Sequence, residues 1–170
     1  MSIQTTNFSV AKDETFTNIN AQRTSRAGLY ELEPDNEQSI ATLTVAQSIP
    51  DATATTVNFN NELRDPGSNY VPGAAAAYTC PTSGTYQISG FITFAASAVG
   101  VRDIAIRLAT VKIWGNRVVA SAASVLDVGF NTIIEARAGQ ALDIQTTQTS
   151  GGALNVTAGR IEFKPLNFGL

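Results

Sequence analysis

The single cysteine, Cys80, is the side chain best suited to act as a nucleophile, but the sequence offers it no base. A cysteine or serine nucleophile is usually activated by a neighbouring histidine, and this chain contains no histidine. The same absence removes the imidazole ligand that is common in metal sites. One cysteine also permits no disulfide within the chain. Cys80 falls in a predicted strand, where we expect it to be a small, buried apolar side chain.

Four aspartates near predicted loops are the next candidates for chemistry, namely Asp65, Asp103, Asp127 and Asp143. A calcium site gathers several carboxylates at ligand spacing, whereas these four are isolated in the sequence. We therefore expect no metal site and no cofactor. Two carboxylates can also hydrolyse a glycosidic bond, but no pair here has a distinguishing sequence context. The sequence predicts a protein that is not an enzyme.

Trp114 is the one side chain that suggests recognition of a ligand. It directly precedes Gly115-Asn116, a pair that predicts a two-residue hairpin turn, with residues 117–125 returning as the partner strand. A tryptophan at a loop tip could stack on a sugar ring or anchor a partner. It could equally cover the end of a barrel, and we prefer this packing interpretation while keeping Trp114 as a candidate loop contact.

Charge and hydropathy exclude several classes of partner. The chain has 14 acidic and 11 basic residues and no cluster of lysine or arginine, so we expect no nucleic-acid binding. The first residues contain neither the basic nor the apolar region of a secretory signal. No apolar run approaches the length of a membrane span, so no membrane partner is expected. These features predict a protein that is made and assembled in a cytoplasm.

Residues 1–38 differ in character from the rest of the chain. They are polar, with single apolar residues at wide spacing, and no helical or strand period persists. A disordered tail is the simplest interpretation, but such tails usually lack aromatic residues. We therefore predict an extended N-terminal arm that becomes ordered on a partner or a neighbouring subunit. Its candidate partner-binding residues are Phe8, Phe16, Ile19, Leu29 and Tyr30.

From Ser39 onward the pattern indicates β-structure and a second region, residues 39–170. Short segments of alternating apolar and polar residues are separated by turn signals, and no segment combines a helical period with caps. One strand is expected to end at Cys80, and a turn through Pro81 and Gly84 leads to a long strand that begins at Tyr86. Eight to ten such strands predict an all-β sandwich or jelly roll.

The segment 77–89, Ala-Tyr-Thr-Cys-Pro-Thr-Ser-Gly-Thr-Tyr-Gln-Ile-Ser, resembles the signature of the C1q/TNF-like domain. Phe59, Leu63, Gly67 and Tyr70 precede it in the family's order, and residues 134–142 and 158–163 resemble later family segments. The resemblance extends from Ile40 to Lys164. It departs from the family at residue 88, which is usually Phe, and at residue 140, which is often Asp. In addition, no Gly-X-Y collagen stalk precedes the domain.

The resemblance implies an antiparallel jelly-roll sandwich that assembles as a tight trimer. Strand alternation then gives each strand an inner and an outer face. The inner set, expected to form the core, is Tyr86, Ile88, Ile92, Phe94, Ile134, Ala136, Leu142, Ile161 and Phe163. On an isolated sandwich the outer set would meet water, and its apolar members would be ordinary stray surface residues. We favour a trimer interface formed by Gln87, Phe91, Thr93, Ile133, Glu135, Arg137, Arg160, Glu162 and Lys164.

Two functions fit these features. The first is a structural virion protein, a homotrimeric capsid cement or decoration protein of a bacteriophage. Its arm would cross subunit seams of the shell, and its partners would be itself and the major capsid protein or another virion protein. The second is a C1q-like head of a fibre or cell-surface assembly that binds a receptor or glycan through Trp114 and the loops. We favour the first, which places the protein in a virion assembled in the host cytoplasm.

Overall fold

The computed structural model describes residues 38–73 and 75–166. The predicted N-terminal arm lies outside these residues apart from Gln38, as do its five candidate partner-binding residues. The described chain forms twelve strands and no helix, and thus no helix that could cross a membrane. The strands are β1 Ser39–Leu43, β2 Gln47–Ile49, β3 Thr55–Thr56, β4 Asn61–Arg64, β5 Tyr70–Val71, β6 Ala77–Thr79, β7 Gly84–Phe94, β8 Val101–Leu108, β9 Val111–Val119, β10 Leu126–Ala136, β11 Ala141–Gln148 and β12 Leu154–Leu166.

The strands form two six-stranded antiparallel sheets. Sheet A has the order β10-β7-β12-β1-β4, with β2 also paired to β12. Sheet B has the order β5-β6-β11-β8-β9, with β3 also paired to β11. Strands that are neighbours in sheet A are far apart in the sequence, because the chain passes repeatedly from one sheet to the other. The all-β antiparallel sandwich predicted from the sequence is confirmed.

The core lies between the two sheets and follows the predicted alternation. Tyr86, Ile88, Ile92 and Phe94 of β7 are all 0% exposed. Sheet B covers them with side chains such as Ile106, and Tyr78 of β6 stacks on Phe163 of β12 with ring centroids 4.6 Å apart. Among the other predicted core residues, Ala136, Leu142, Ile161 and Phe163 are buried, whereas Ile134 is only partly buried.

The hairpin between β8 and β9 does not lie where the sequence predicted it. Gly115-Asn116 is in the middle of β9, where Gly115 pairs with Ala105, and β9 ends at Val119. The turn consists instead of Ala109 and Thr110, which adopt φ angles of 48° and 73°. Two positive φ values fit a type I′ turn, which the sequence usually marks with Asn-Gly. Here the long antiparallel pairing of β8 with β9 imposes the turn on Ala109 and Thr110, which are not residues that favour it.

Two further strand boundaries differ from those that the sequence pattern predicts. Residues 131–137 alternate as a strand that would start at Asn131, whereas β10 begins at Leu126, which extends the edge of sheet A. Val57 and Phe59 alternate with polar residues as a short strand would, but they are buried outside any strand, and the following residues 61–64 form β4 instead. In both places turn-favouring or polar residues occur within a strand because the sheet's hydrogen bonds override local preference.

A matched pair of glycines tests the packing of sheet A. A β-carbon added to Gly90 of β7 would lie 2.1 Å from the carbonyl oxygen of Arg160 and 2.8 Å from the ring of Phe130. At Gly84, on the same strand, no atom would lie within 4 Å. We expect Gly90→Ala to lower the free energy of unfolding by about 1–3 kcal/mol, because the surrounding packing must yield. Gly84→Ala should change it by less than about 0.5 kcal/mol.

Urea unfolding followed by Trp114 fluorescence would measure both variants. Protein concentration must be held constant, because association of subunits would itself shift apparent stability. Equal effects of the two substitutions would contradict the described packing.

Candidate assembly surface

The outer face of sheet A is formed by three adjacent long strands, β10, β7 and β12. Cross-strand pairs place its residues in rows, because paired residues point to the same side of a sheet. Phe91 lies in a row between Gly129 and Arg160, and Gln87 lies in a row between Ile133 and Lys164. We call this surface the assembly face. Its members are Thr85, Gln87, Ser89, Phe91, Thr93, Asp127, Gly129, Asn131, Ile133, Glu135, Arg160, Glu162 and Lys164.

Two large apolar side chains stand on the assembly face. Phe91 is 40% exposed and Ile133 is 60% exposed. They belong to rows four residues apart along the strands, which corresponds to roughly 13 Å. They therefore form two separate apolar spots rather than one cluster that could shield itself. Gly129 leaves open space directly beside Phe91.

Polar groups surround these two spots and already interact with one another. Thr93 donates a hydrogen bond of 2.6 Å to Asp127, and the Gln87 amide donates one of 3.1 Å to Asn131. Arg160 lies 3.8 Å from Glu162 on the same strand, a weak and partly exposed ion pair. The face therefore mixes both signs of charge around its apolar side chains.

Gln38 connects the start of the domain to this surface. Its side-chain amide donates a hydrogen bond to the Glu162 carboxylate, and Gln38 itself is buried. Because Ser39 already pairs with Phe163, the chain enters sheet A immediately beside the assembly face. Gln38 is therefore the point where the described chain begins, at the border of this surface.

The structure brings the sequence-predicted interface residues to one side of sheet A. Eight of the nine lie on the assembly face, and Arg137 is exposed one residue beyond the end of β10. Whether they contact another subunit remains a prediction. Sequence reasoning missed Asp127, Gly129 and Asn131, which share the face because β10 begins earlier than expected. Extending the alternation backward from Ile133 would have found them.

Trp114 does not lie at a loop tip, so this part of the prediction is wrong. It is in β9, pairs with Ile106 and is only partly exposed. Its ring centroid lies 6.4 Å from that of Phe130, and Trp114 packs against the core at the border between the two sheets. The location agrees with the preferred packing interpretation.

The four aspartates considered as calcium ligands are engaged separately. Asp143 accepts two hydrogen bonds of 2.7 Å from Arg107, and Asp103 forms ion pairs with Arg117 and Lys112. Asp65 accepts from Ser39 and from the backbone NH of Tyr70, and Asp127 accepts from Thr93. In the part of the chain that is described, no three carboxylate or thiol groups lie close enough to hold a metal ion.

Buried polar groups in the described chain act within the fold. Cys80 is 0% exposed, and burial raises the pKa of its thiol to about 11. Tyr70 donates a hydrogen bond of 3.0 Å to the carbonyl of Phe59, and burial raises its pKa as well. A thiol that remains protonated and inaccessible is a poor nucleophile. The geometry of Cys80 is thus that of a packing residue.

Comparison with known proteins identifies the fold. No family model and no curated protein matches the sequence. Among solved structures, the globular domain of zebrafish complement 1qA protein is similar at a TM-score of 0.60 and 13% identity, covering 77% of this chain and 98% of that one. The PRD1 vertex protein P5 is similar at a TM-score of 0.60 and 15% identity, covering 78% of this chain and 98% of that one. Eiger TNF from S. frugiperda is similar at a TM-score of 0.59 and 8% identity, covering 78% of this chain and 94% of that one. The chain therefore has the C1q/TNF-like jelly-roll fold.

The burial of Cys80 generates a test of its role. Native protein should react with an aromatic disulfide reagent at pH 8 at least about tenfold more slowly than protein in urea. Because the folded-state pKa of about 11 exceeds the ordinary 9.0, stability from this group is present below pH 9. It is lost as the pH rises through 11, and Cys80→Ala should remove that loss. Equal reaction rates in the native and unfolded states would contradict this assignment.

Proposed function

We propose that this chain, a C1q/TNF-like jelly roll, is a structural virion protein: a homotrimeric capsid cement or decoration protein of a phage. The observation that carries the proposal is the assembly face, a broad outer sheet surface with exposed Phe91 and Ile133. On a sandwich that works alone, these two large apolar side chains, on two of the three longest strands, would face water. The neighbouring subunits of a trimer would cover them.

The details of the face suit contact between copies. Phe91 stands beside the open position over Gly129, so a side chain from a neighbouring subunit can lie next to its ring. Two hydrogen bonds, Thr93 to Asp127 and Gln87 to Asn131, already pair polar side chains between and beside the two apolar spots. Charges of both signs at Arg160, Glu162 and Lys164 would set the register between subunits more than the affinity. Hydrophobic contact would supply the driving force.

The virion assignment is supported by the neighbouring structures and by the charge pattern. The PRD1 vertex protein P5 is covered over 98% of its length. The sequence contains no histidine and no cluster of basic residues. It therefore lacks the residues that histidine-dependent catalysis and nucleic-acid binding usually need. A threefold trimer also matches the local threefold positions of an icosahedral lattice. Residues 1–37 would bind the shell.

The first test is substitution on the assembly face. Phe91→Asp and Ile133→Asp should each convert the trimer to single chains, because an unpaired charge buried in an interface costs several kcal/mol. Val71→Asp is the matched control, since Val71 is also 60% exposed but lies on β5 of sheet B. Light scattering coupled to size-exclusion chromatography measures the mass, and circular dichroism verifies folding. A Phe91→Asp protein that remains trimeric would refute the assigned interface.

The second test concerns the arm. Deleting residues 1–37 retains Gln38 and its bond to Glu162, so the truncated chain should still fold and form trimers. It should no longer cosediment with undecorated heads assembled from the major capsid protein of the same genome. Phe16→Ala with Tyr30→Ala in the full chain should weaken this binding at least about tenfold, the effect of losing about 1.4 kcal/mol. Undiminished binding by the truncated trimer would contradict the proposed role of the arm.

A further inference from the structure

A cleft of about 430 Å³ lies between the connection from β1 to β2 and the segment 57–60. We call it the amide cleft, and it is lined by Val45, Ala46, Gln47, Asn58 and Asn60. None of these residues is charged, and none belongs to the assembly face. Clefts that hold small molecules have volumes of roughly 300–1,000 Å³. The amide cleft is therefore large enough for a small ligand.

The burial pattern of residues 57–60 explains why two amides line the cleft together. Val57 and Phe59 are each 1% exposed and belong to the core between the sheets. Asn58 and Asn60 alternate with them and are only half-buried. Packing of the two apolar residues thus leaves the two asparagines on the opposite side of the segment, where they line the cleft.

Side-chain amides also bridge the two walls of the cleft. The Gln47 side chain donates a hydrogen bond of 2.8 Å to the Thr56 carbonyl and accepts one of 2.8 Å from the Asn58 backbone NH. The side-chain oxygen of Asn60 accepts a hydrogen bond of 2.9 Å from the Thr44 backbone NH. These bonds fix the orientations of the amides in advance, so a ligand loses less conformational entropy when it binds.

Asn58 keeps hydrogen-bonding capacity that the fold does not use. Its side-chain oxygen accepts a hydrogen bond of 2.8 Å from the Gly73 backbone NH. Its NH₂ group has no partner in the part of the chain that is described. Val45, which is 67% exposed, adds an apolar surface to the same cleft. The cleft therefore combines a free amide donor with amides of fixed orientation and a small apolar wall.

We propose that the amide cleft binds a neutral saccharide. Sugar hydroxyls donate and accept hydrogen bonds, and an amide side chain offers both a donor and an acceptor. A charged ligand finds no opposite charge among the lining residues, and burying a charge without a partner is costly. An entirely apolar ligand leaves the Asn58 donors unpaired, which is also costly. The apolar C–H face of a sugar ring can pack on Val45.

The inference goes beyond the proposed role in a virion and does not depend on the trimer. All five lining residues come from one chain, so a single copy holds the complete site. A trimer would carry three such clefts.

NMR titration of the isotope-labelled full chain tests the inference. The probes are maltose, lactose, mannobiose and diacetylchitobiose, all of which are neutral. A small ligand on an open cleft is expected to bind with a dissociation constant on the order of 1 mM. Nitrogen–proton correlation spectra should show the side-chain amide signals of Asn58 and Asn60 shifting with at least one probe. The signal of Asn155, which is exposed and outside the cleft, should stay in place.

Substitutions locate the site. Ala46 is exposed and lines the cleft, so Ala46→Phe should fill the cleft and weaken binding at least about tenfold. Ala54→Phe is the matched control, because Ala54 is also exposed but does not line the cleft. Asn58→Asp keeps the acceptor for Gly73 and removes the free NH₂ donors. It should weaken binding several-fold, which is the effect of losing one hydrogen bond.

Four outcomes would overturn the inference. The first is the absence of binding by every probe, and the second is equal weakening by Ala46→Phe and Ala54→Phe. The third is tighter binding of the acidic sugar sialyllactose than of lactose, which would indicate a charged site. The fourth is binding of acetylated, amidated trialanine in preference to every sugar, which would assign the cleft to a peptide backbone. None of these results bears on the trimer, which measurements of molar mass test separately.

Discussion

The packing of the inner side chains of β7 between the two sheets is the constraint on which the rest of this structure depends. Tyr86, Ile88, Ile92 and Phe94 are fully buried, and a shift of one residue would place all four in water. Their register therefore also fixes what the opposite face displays. Gly90 reinforces the register, because only a residue without a side chain fits between the Arg160 carbonyl and the Phe130 ring. Core packing in this way determines which residues lie on the assembly face.

Much of this architecture could be predicted because strand alternation is encoded locally. The inner and outer faces of β7 and β12 follow directly from the spacing of their apolar residues. The β8–β9 hairpin could not be predicted in the same way, because Ala109 and Thr110 adopt positive φ without the residues that favour it. Trp114 was consequently placed at a tip when it packs beside Phe130. The early start of β10 was missed because Gly129 and Asn131 interrupt the apolar pattern. The candidate face was thus found in outline, without the residues in the first half of β10.

The outer side of sheet A has a chemistry of its own. The assembly face combines two apolar spots with paired polar groups, and the buried Gln38 lies at its border. This surface follows from the topology rather than from a local motif, because the long strands β7, β10 and β12 are neighbours in sheet A.

The molar mass of the full, unmodified chain in solution tests the central claim most directly. Sedimentation equilibrium at low concentration should give three times the chain mass of 17.9 kDa, in low and in high salt alike, because the contact is mainly apolar. A stable species of 17.9 kDa would leave Phe91 and Ile133 facing water and would contradict the account.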